Sequence, residues 1–427
     1  IDVLGDRLRH IADVKQWPVL LAPEDRDLPM LVRPGREHID HEVHANPGIR
    51  VAYPEKGAQP EAHCVPPLEE GLGGRVSDRS TDPHGHGTAM ASICVWGDRG
   101  HVTDPAARPV LVRPILTPAR DSIGNWEELP TSVLAPDLMR RVFRELFEGD
   151  GTTPASAPSV VVVNLSVGDP AAPFDGVMSS WARTLDWLSA AYGVVVVVAS
   201  GNHGKLTISD GTDAMIALDG ADRAKMVNNA VAETSPRRSL LAPADSINAL
   251  TIGALNDDGA GDVPLTGYQF DPADGELIIS PISALGSGHH RSVKPDIVAP
   301  GGRARFMRPV TGNATEIHPA KQAALGPGVK VAAAKGGEAF TVGTSPAAAM
   351  VSRIAARAVD TVVDLAGQAL TRSELAVATK AMVAHTAKIP DDLLVHGDLR
   401  HAAHGYGSLE RHLADEHNRG LGAGGWG

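Results

Sequence analysis

The chain has 427 residues, 43% of them hydrophobic and 21% charged, which is the balance of a globular protein with a large core. Its formal charge of −12, with no lysine- or arginine-rich run, argues against a nucleic-acid partner. No apolar run is long enough to span a bilayer, and two cysteines, Cys64 and Cys94, are too few for a disulfide framework. The scarcity of cysteine favours a reducing, cytoplasmic setting.

Residues 1–47 are polar and weakly periodic and read as an N-terminal arm or remnant. Within them His41 and His44 flank Glu42, but histidines three apart do not match the four-residue spacing of helical zinc sites. The segment reads as a solvated His-rich loop. From residue 48 to about 390 the chain alternates strands and helices. Strands are expected at Ile49–Tyr53, Val110–Ile115, Ser159–Leu165, Val194–Ala199, Leu250–Leu255 and Phe340–Val342. Their apolar runs are continuous rather than alternating, as in parallel strands covered on both faces. Leu134, Leu138, Val142 and Leu146 mark one amphipathic helix, and Trp181, Leu185 and Leu188 another. The pattern predicts an α/β fold with a doubly wound, mostly parallel sheet and helices on both faces. Two long insertions, 203–246 and 303–338, read as surface elaboration able to border the cleft; the first has a helix-like centre, Ala221 to Glu233. Residues 391–427 form a C-terminal tail whose Gly-rich end reads as a linker.

The chemistry concentrates in a few blocks. Phe340 to Met350 runs from a β-branched stretch through Gly343, Thr344 and Ser345 into a small-residue helix opened by Pro346. That places the Ser345 hydroxyl in a first helical turn, where unpaired N–H groups and the helix dipole favour a developing anion. Upstream lie His86-Gly87-Thr88 and a valine run ending in Ala199-Ser200-Gly201-Asn202. In this order the blocks resemble the His, oxyanion-Asn and Ser motifs of the subtilisin-like serine proteases, the subtilase family. Val162 to Gly168 and Lys294 to Gly301 resemble that family's cleft strand and late-sheet motif. The flavour is that of uncharacterised bacterial members of intracellular type, with Arg238 to Ala244 and Ala299 to Arg303 pointing the same way.

The resemblance implies a serine endopeptidase of subtilisin-like fold. Ser345 would attack the peptide carbonyl, His86 would carry its proton, and the Asn202 side chain with the Ser345 N–H would hold the oxyanion. An extended peptide would pair with Ser166, Val167 and Gly168, and Ala199, Ser200 and Gly201 would help wall the primary specificity pocket. No cofactor is needed for this chemistry, no metal ligands are identified, and a structural calcium cannot be read from the residues. Peptide or protein substrates are implied, and a regulatory protein partner is compatible.

The acid departs from the family's pattern. Where the family carries aspartate after its first strand, this chain has Glu55, thirty-one residues before His86. Glutamate can orient an imidazole if its loop retreats by about one bond length. Asp82 reads as a structural neighbour of His86, Asp78 is a further candidate, and Asp40 serves only in a shifted register. The missing aspartate keeps a second reading open, a pseudoprotease that binds peptides without cutting them. An α/β-hydrolase esterase fits less well, because Ser345 lacks the second glycine of Gly-x-Ser-x-Gly and His86 precedes it.

Overall fold

The computed structural model describes residues 63–64 and 85–409, apart from 102–104, 107, 121–124, 266, 311–313, 321–325, 334–336 and 367–368. The first strand, β1 (His63–Cys64), pairs in parallel with β2 (Leu111–Val112), and helix α1 (His86–Trp96) lies between them in sequence. A hairpin of β3 (Thr117–Arg120) and β4 (Asn125–Glu128) leads to α2 (Ala135–Phe147). Pro136 at the start of α2 suits a position with no helical N–H to lose. Leu138, Met139, Val142, Phe143 and Leu146 form its buried stripe, whereas Leu134, expected in that stripe, caps the helix and is 71% exposed. Beyond β5 (Val162–Leu165) and β6 (Asp169–Pro173), Ser179 caps α3 (Ser180–Tyr192) by accepting from the Ala182 N–H.

Then comes β7 (Val195–Ala199), all five residues of which are buried. Its alternate side chains divide between two cores. Val195, Val197 and Ala199 face one helical layer, while Val196 and Val198 face Trp181, Leu185 and Leu188 of α3. A strand sealed on both faces gains from every side chain, about 1.5–3 kcal/mol for each large one, which is why the run shows no alternation in sequence. After β8 (Leu206–Thr207), α4 (Thr212–Ile216), α5 (Gly220–Glu233) and β9 (Leu241–Ala242), the chain forms β10 (Leu250–Leu255). It continues through β11 (Gln269–Phe270) to β12 (Ile297–Pro300). Strands β5, β7, β10 and β12 make one parallel sheet in that order. Buried Lys294 enters β12, bonding Asp296 at 2.6 Å and the Ala249 carbonyl at 2.8 Å; Asp296 also accepts from the Thr251 N–H.

The last strands are β13 (Phe306–Met307), β14 (Glu316–Pro319), β15 (Val329–Ala332) and β16 (Glu338–Thr341). The run expected as a strand at Phe340–Val342 is not part of the parallel sheet. It belongs to β16, antiparallel to β15, and ends at Thr341. The two long insertions meet each other: β8 from the first pairs with β14 of the second in the antiparallel order β11-β13-β14-β8, over a core that includes Met215, Val227 and Phe306.

Helix α6 (Thr344–Ala366) crosses the parallel sheet, with Ala347, Ala348 and Ala349 wholly buried, and α1 packs beside it. A capping box of Thr371 and Glu374 starts α7 (Arg372–His385), which covers α6. The first part of the stretch read as a tail returns to the core. There Leu399 and Ala403, flanking the start of α8 (Arg400–His404), are buried, and the Ser408 and Leu409 N–H groups bond Lys388 and Val298. No helix among the described residues is long and apolar enough to cross a membrane.

Candidate active site

Ser345 is the second residue of α6, so its N–H has no carbonyl to meet within the helix. Gly343 makes the approach to it. Its φ of +129° is strained for any other residue, and a Cβ there would lie 2.8–3.1 Å from the Asn202 carboxamide. Asn202 follows β7 and its backbone bridges Ser283. Its Oδ1 accepts from the Thr344 N–H at 3.0 Å and the Thr344 hydroxyl at 3.2 Å. Thr344 Oγ1 in turn accepts from the Gly201 N–H at 3.2 Å. With Oδ1 so held, the Nδ2 end of Asn202 is the donor left to act.

Ser166 holds the other side. Its hydroxyl donates to the Ser345 carbonyl at 3.0 Å, while the Ser345 hydroxyl donates to the Ser166 carbonyl at 3.1 Å. Asn164 bonds the Ser166 hydroxyl at 3.1 Å and accepts from Ser352 two turns along α6 at 3.0 Å. The end of β5 is therefore clamped to the first turns of α6. Val167 and Gly168 continue from Ser166, half-buried.

His86 is the first residue of α1 and is half-buried. Its helix lies along α6: the Cys94 thiol donates to the Ala349 carbonyl at 3.8 Å, and the Arg353 guanidinium donates to the Val95 carbonyl. His86 and Ser345 thus occupy the first turns of two helices packed side by side. Glu55, Asp40, Asp78, Asp82, the expected strand at Ile49–Tyr53 and the His41/His44 segment lie outside the described residues.

Of the expected pocket walls, Ala199, Ser200 and Gly201 are all buried. Sequence reasoning missed Leu241. Gly201 has φ +108°, and a Cβ there would lie 2.5–2.8 Å from the Leu241 side chain; a Cβ on Gly168 would be 3.4 Å from Leu241 Cβ. Leu241 therefore fills the space the two glycines leave. Its signal is a contact between residues forty apart, which no local pattern marks. Next to Asn202, His203 bonds the Ser239 carbonyl at 2.9 Å. Burial pulls its imidazole below the ordinary histidine range, the Ser239 carbonyl opposes that shift, and the Arg238 charge adds to it. The buried Arg238 guanidinium is itself lowered by burial to about 10. Among the described residues no cluster of three or more His, Cys, Asp or Glu side chains could hold a metal ion.

Residues 74–408 match the model of the subtilase family, Peptidase S8. A curated relative, the uncharacterized protein y4bN of Sinorhizobium fredii (strain NBRC 101917 / NGR234), is 31% identical over 144 residues. That match covers 33% of this chain and 31% of the relative, so the chain spans about a third of that protein's length. Among solved structures, the prenylagaramide maturation protease PagA is 19% identical, with 77% of this chain and 80% of that one covered at a TM-score of 0.42. A lanthipeptide protease is 15% identical, with 78% and 74% covered at a TM-score of 0.42. The family match takes in the His86, Asn202 and Ser345 blocks together with the parallel sheet that carries them, and on that extent the chain belongs to the subtilase family of subtilisin-like serine peptidases.

Proposed function

We propose that the chain hydrolyses peptide bonds with Ser345 as nucleophile and His86 as general base. Asn202 Nδ2 and the Ser345 N–H form the oxyanion hole, and Glu55 is the orienting acid. The observation that carries this reading is the tie between Asn202 Oδ1 and Thr344, which fixes the carboxamide against the residue just before Ser345. A donor held this way needs no reorganisation as charge develops on the substrate oxygen. Ser345 supplies the attacking oxygen, His86 takes its proton and returns it to the leaving amine, and water then releases the acyl group by the reverse steps. The Ser345 hydroxyl must leave the Ser166 carbonyl to do so, a rotation about one side-chain bond.

Substrate is proposed to lie extended along Ser166, Val167 and Gly168. Leu241 beside Gly168 and Gly201 limits the acyl-side pocket to small or medium side chains. The test is digestion of a complex peptide mixture, with cut sites read by mass spectrometry. Wild type should cut, Ser345→Ala should not, and Asn202→Ala should lower kcat by ~10²–10³-fold, a magnitude taken over from the subtilisin asparagine itself. Peptides retained by the wild type but never cut would favour the pseudoprotease instead.

A further inference from the structure

Between the antiparallel sheet of the two insertions and the segment that leads into α6 lies a cavity of about 140 Å³, room for several waters or one side chain. Its lining includes Gln269, Ile282, Arg303, Arg305, Ala320 and Val342. Two of these tie it to the active site. Val342 is three residues before Ser345. The Ile282 carbonyl accepts from the His203 N–H at 2.7 Å, and the adjoining Ser283 bridges Asn202. Ser166 follows β5, at one edge of the parallel sheet, whereas the segment carrying Ile282 runs beside the end of β10, where Ile279 bridges Leu255. The cavity is therefore on the side of Asn202 away from Ser166.

Its charge is uneven. Arg303 is spent on Asp258, which accepts from its Nε at 3.1 Å and its N–H at 2.8 Å. Arg305 is 8% exposed, and among the described residues its guanidinium bonds only the Pro264 carbonyl, at 2.9 Å, and the Val263 carbonyl. Its Nε is buried without a partner. Asp271 and Asp258 are both near enough to act on Arg305 through their charges, as is Arg303 with the opposite sign, but Asp271 Oδ1 accepts from the Ala273 and Asp274 N–H groups and Asp258 is held by Arg303. Among the described residues no carboxylate bonds Arg305. A nearly buried guanidinium that, among the described residues, is hydrogen-bonded only by carbonyls favours an entering anion, and its planar shape suits a carboxylate.

We propose that this cavity receives an acidic side chain of the substrate on the leaving-group side of the scissile bond, with Arg305 selecting it. The proposal rests on Ser345 being the nucleophile, because that reading places the acyl half along Ser166 to Gly168 and sends the leaving half the other way.

The test has a binding arm that does not depend on cutting. N-acetylglutamate α-amide, its glutamine counterpart and N-acetylalanine are titrated into the Ser345→Ala protein and followed by calorimetry. The glutamate compound should bind at least ~5-fold more tightly than either of the others, in keeping with a charge-assisted contact. Arg305→Gln should remove the difference. Ala320→Glu, which keeps Arg305 and adds a carboxylate to the cavity lining, should do the same should the arginine variant fold poorly. Equal binding of the three compounds, or a preference that survives both variants, would overturn the proposal; tighter binding of N-acetylalanine would assign the cavity to a free C-terminus instead. The cutting arm uses the wild type on a proteome-derived peptide mixture. Asp and Glu should be enriched in the first two positions after the cut, and an absence of enrichment would overturn the placement on the leaving side. Binding that discriminates in a protein that never cuts would sink the peptidase reading, and the leaving-side placement with it.

Discussion

Thr344 links Asn202 and Ser345: it donates twice to the asparagine carboxamide and precedes the serine in the same helical turn. The placing of Asn202 after a strand and of Ser345 in a first helical turn was legible from single residues, because Gly-Thr-Ser before a small-residue helix and Gly-Asn after a valine strand are local patterns with local consequences; the Thr344 link itself was not. Leu241 was not, since only the folded backbone brings it against Gly168 and Gly201. Its role is testable by size. Leu241→Ala should open the space and raise kcat/KM for substrates with a large residue before the cut, by about 10-fold per 1.4 kcal/mol of newly favourable burial. Small residues should be affected little. Parallel assays on peptides differing only at that position measure the ratio, and an unchanged ratio would remove Leu241 from the pocket. The acid stays an expectation carried by sequence alone, since Glu55 lies outside the described residues.

Element packing sets two further expectations. Cys94 lies on the seam between α1 and α6, and burial pushes its thiol up to about 12, the Arg353 charge opposing only in part. The folded protein thus holds a proton that the unfolded chain releases near 9. The stability this contributes is complete below pH ~9 and is lost as pH rises towards 12. In a Cys64→Ser background, Cys94 should resist iodoacetamide at pH 8 while folded and react readily in denaturant; fast labelling of the folded form would contradict the packing. At the start of β12, Lys294 and Asp296 form a buried pair that also fastens β10. Lys294→Met leaves a carboxylate buried without its cation and should cost about 3–5 kcal/mol in urea unfolding, whereas the double change Lys294→Met with Asp296→Leu should recover part of that loss. The parallel strands were readable because burial on both faces writes itself as an unbroken apolar run. The β15–β16 hairpin was not, because a short apolar run before a helix fits a parallel strand and a hairpin arm equally well.

Across the whole molecule, the two insertions are one structure. Nothing in residues 203–246 announces that Leu206 and Thr207 will pair with Ile317 and Glu316, since a two-residue strand carries no period and its partner is more than a hundred residues away. Their joint sheet puts a charged cavity beside Val342, so what reads as surface elaboration reaches the segment that leads to Ser345. The parallel sheet brings its strand ends together, α6 places Ser345 there, and α1 sets His86 in the first turn of a helix packed alongside. The central claim is that this arrangement activates Ser345. Its most direct measurement is reaction of the folded protein with a fluorophosphonate, the adduct being located by peptide mass spectrometry. A single phosphonyl group is expected on Ser345, absent from Ser345→Ala, lost or strongly slowed in His86→Ala and reduced in Glu55→Gln. No adduct on folded wild type, or an adduct on Ser345 that forms as fast without His86, would contradict it.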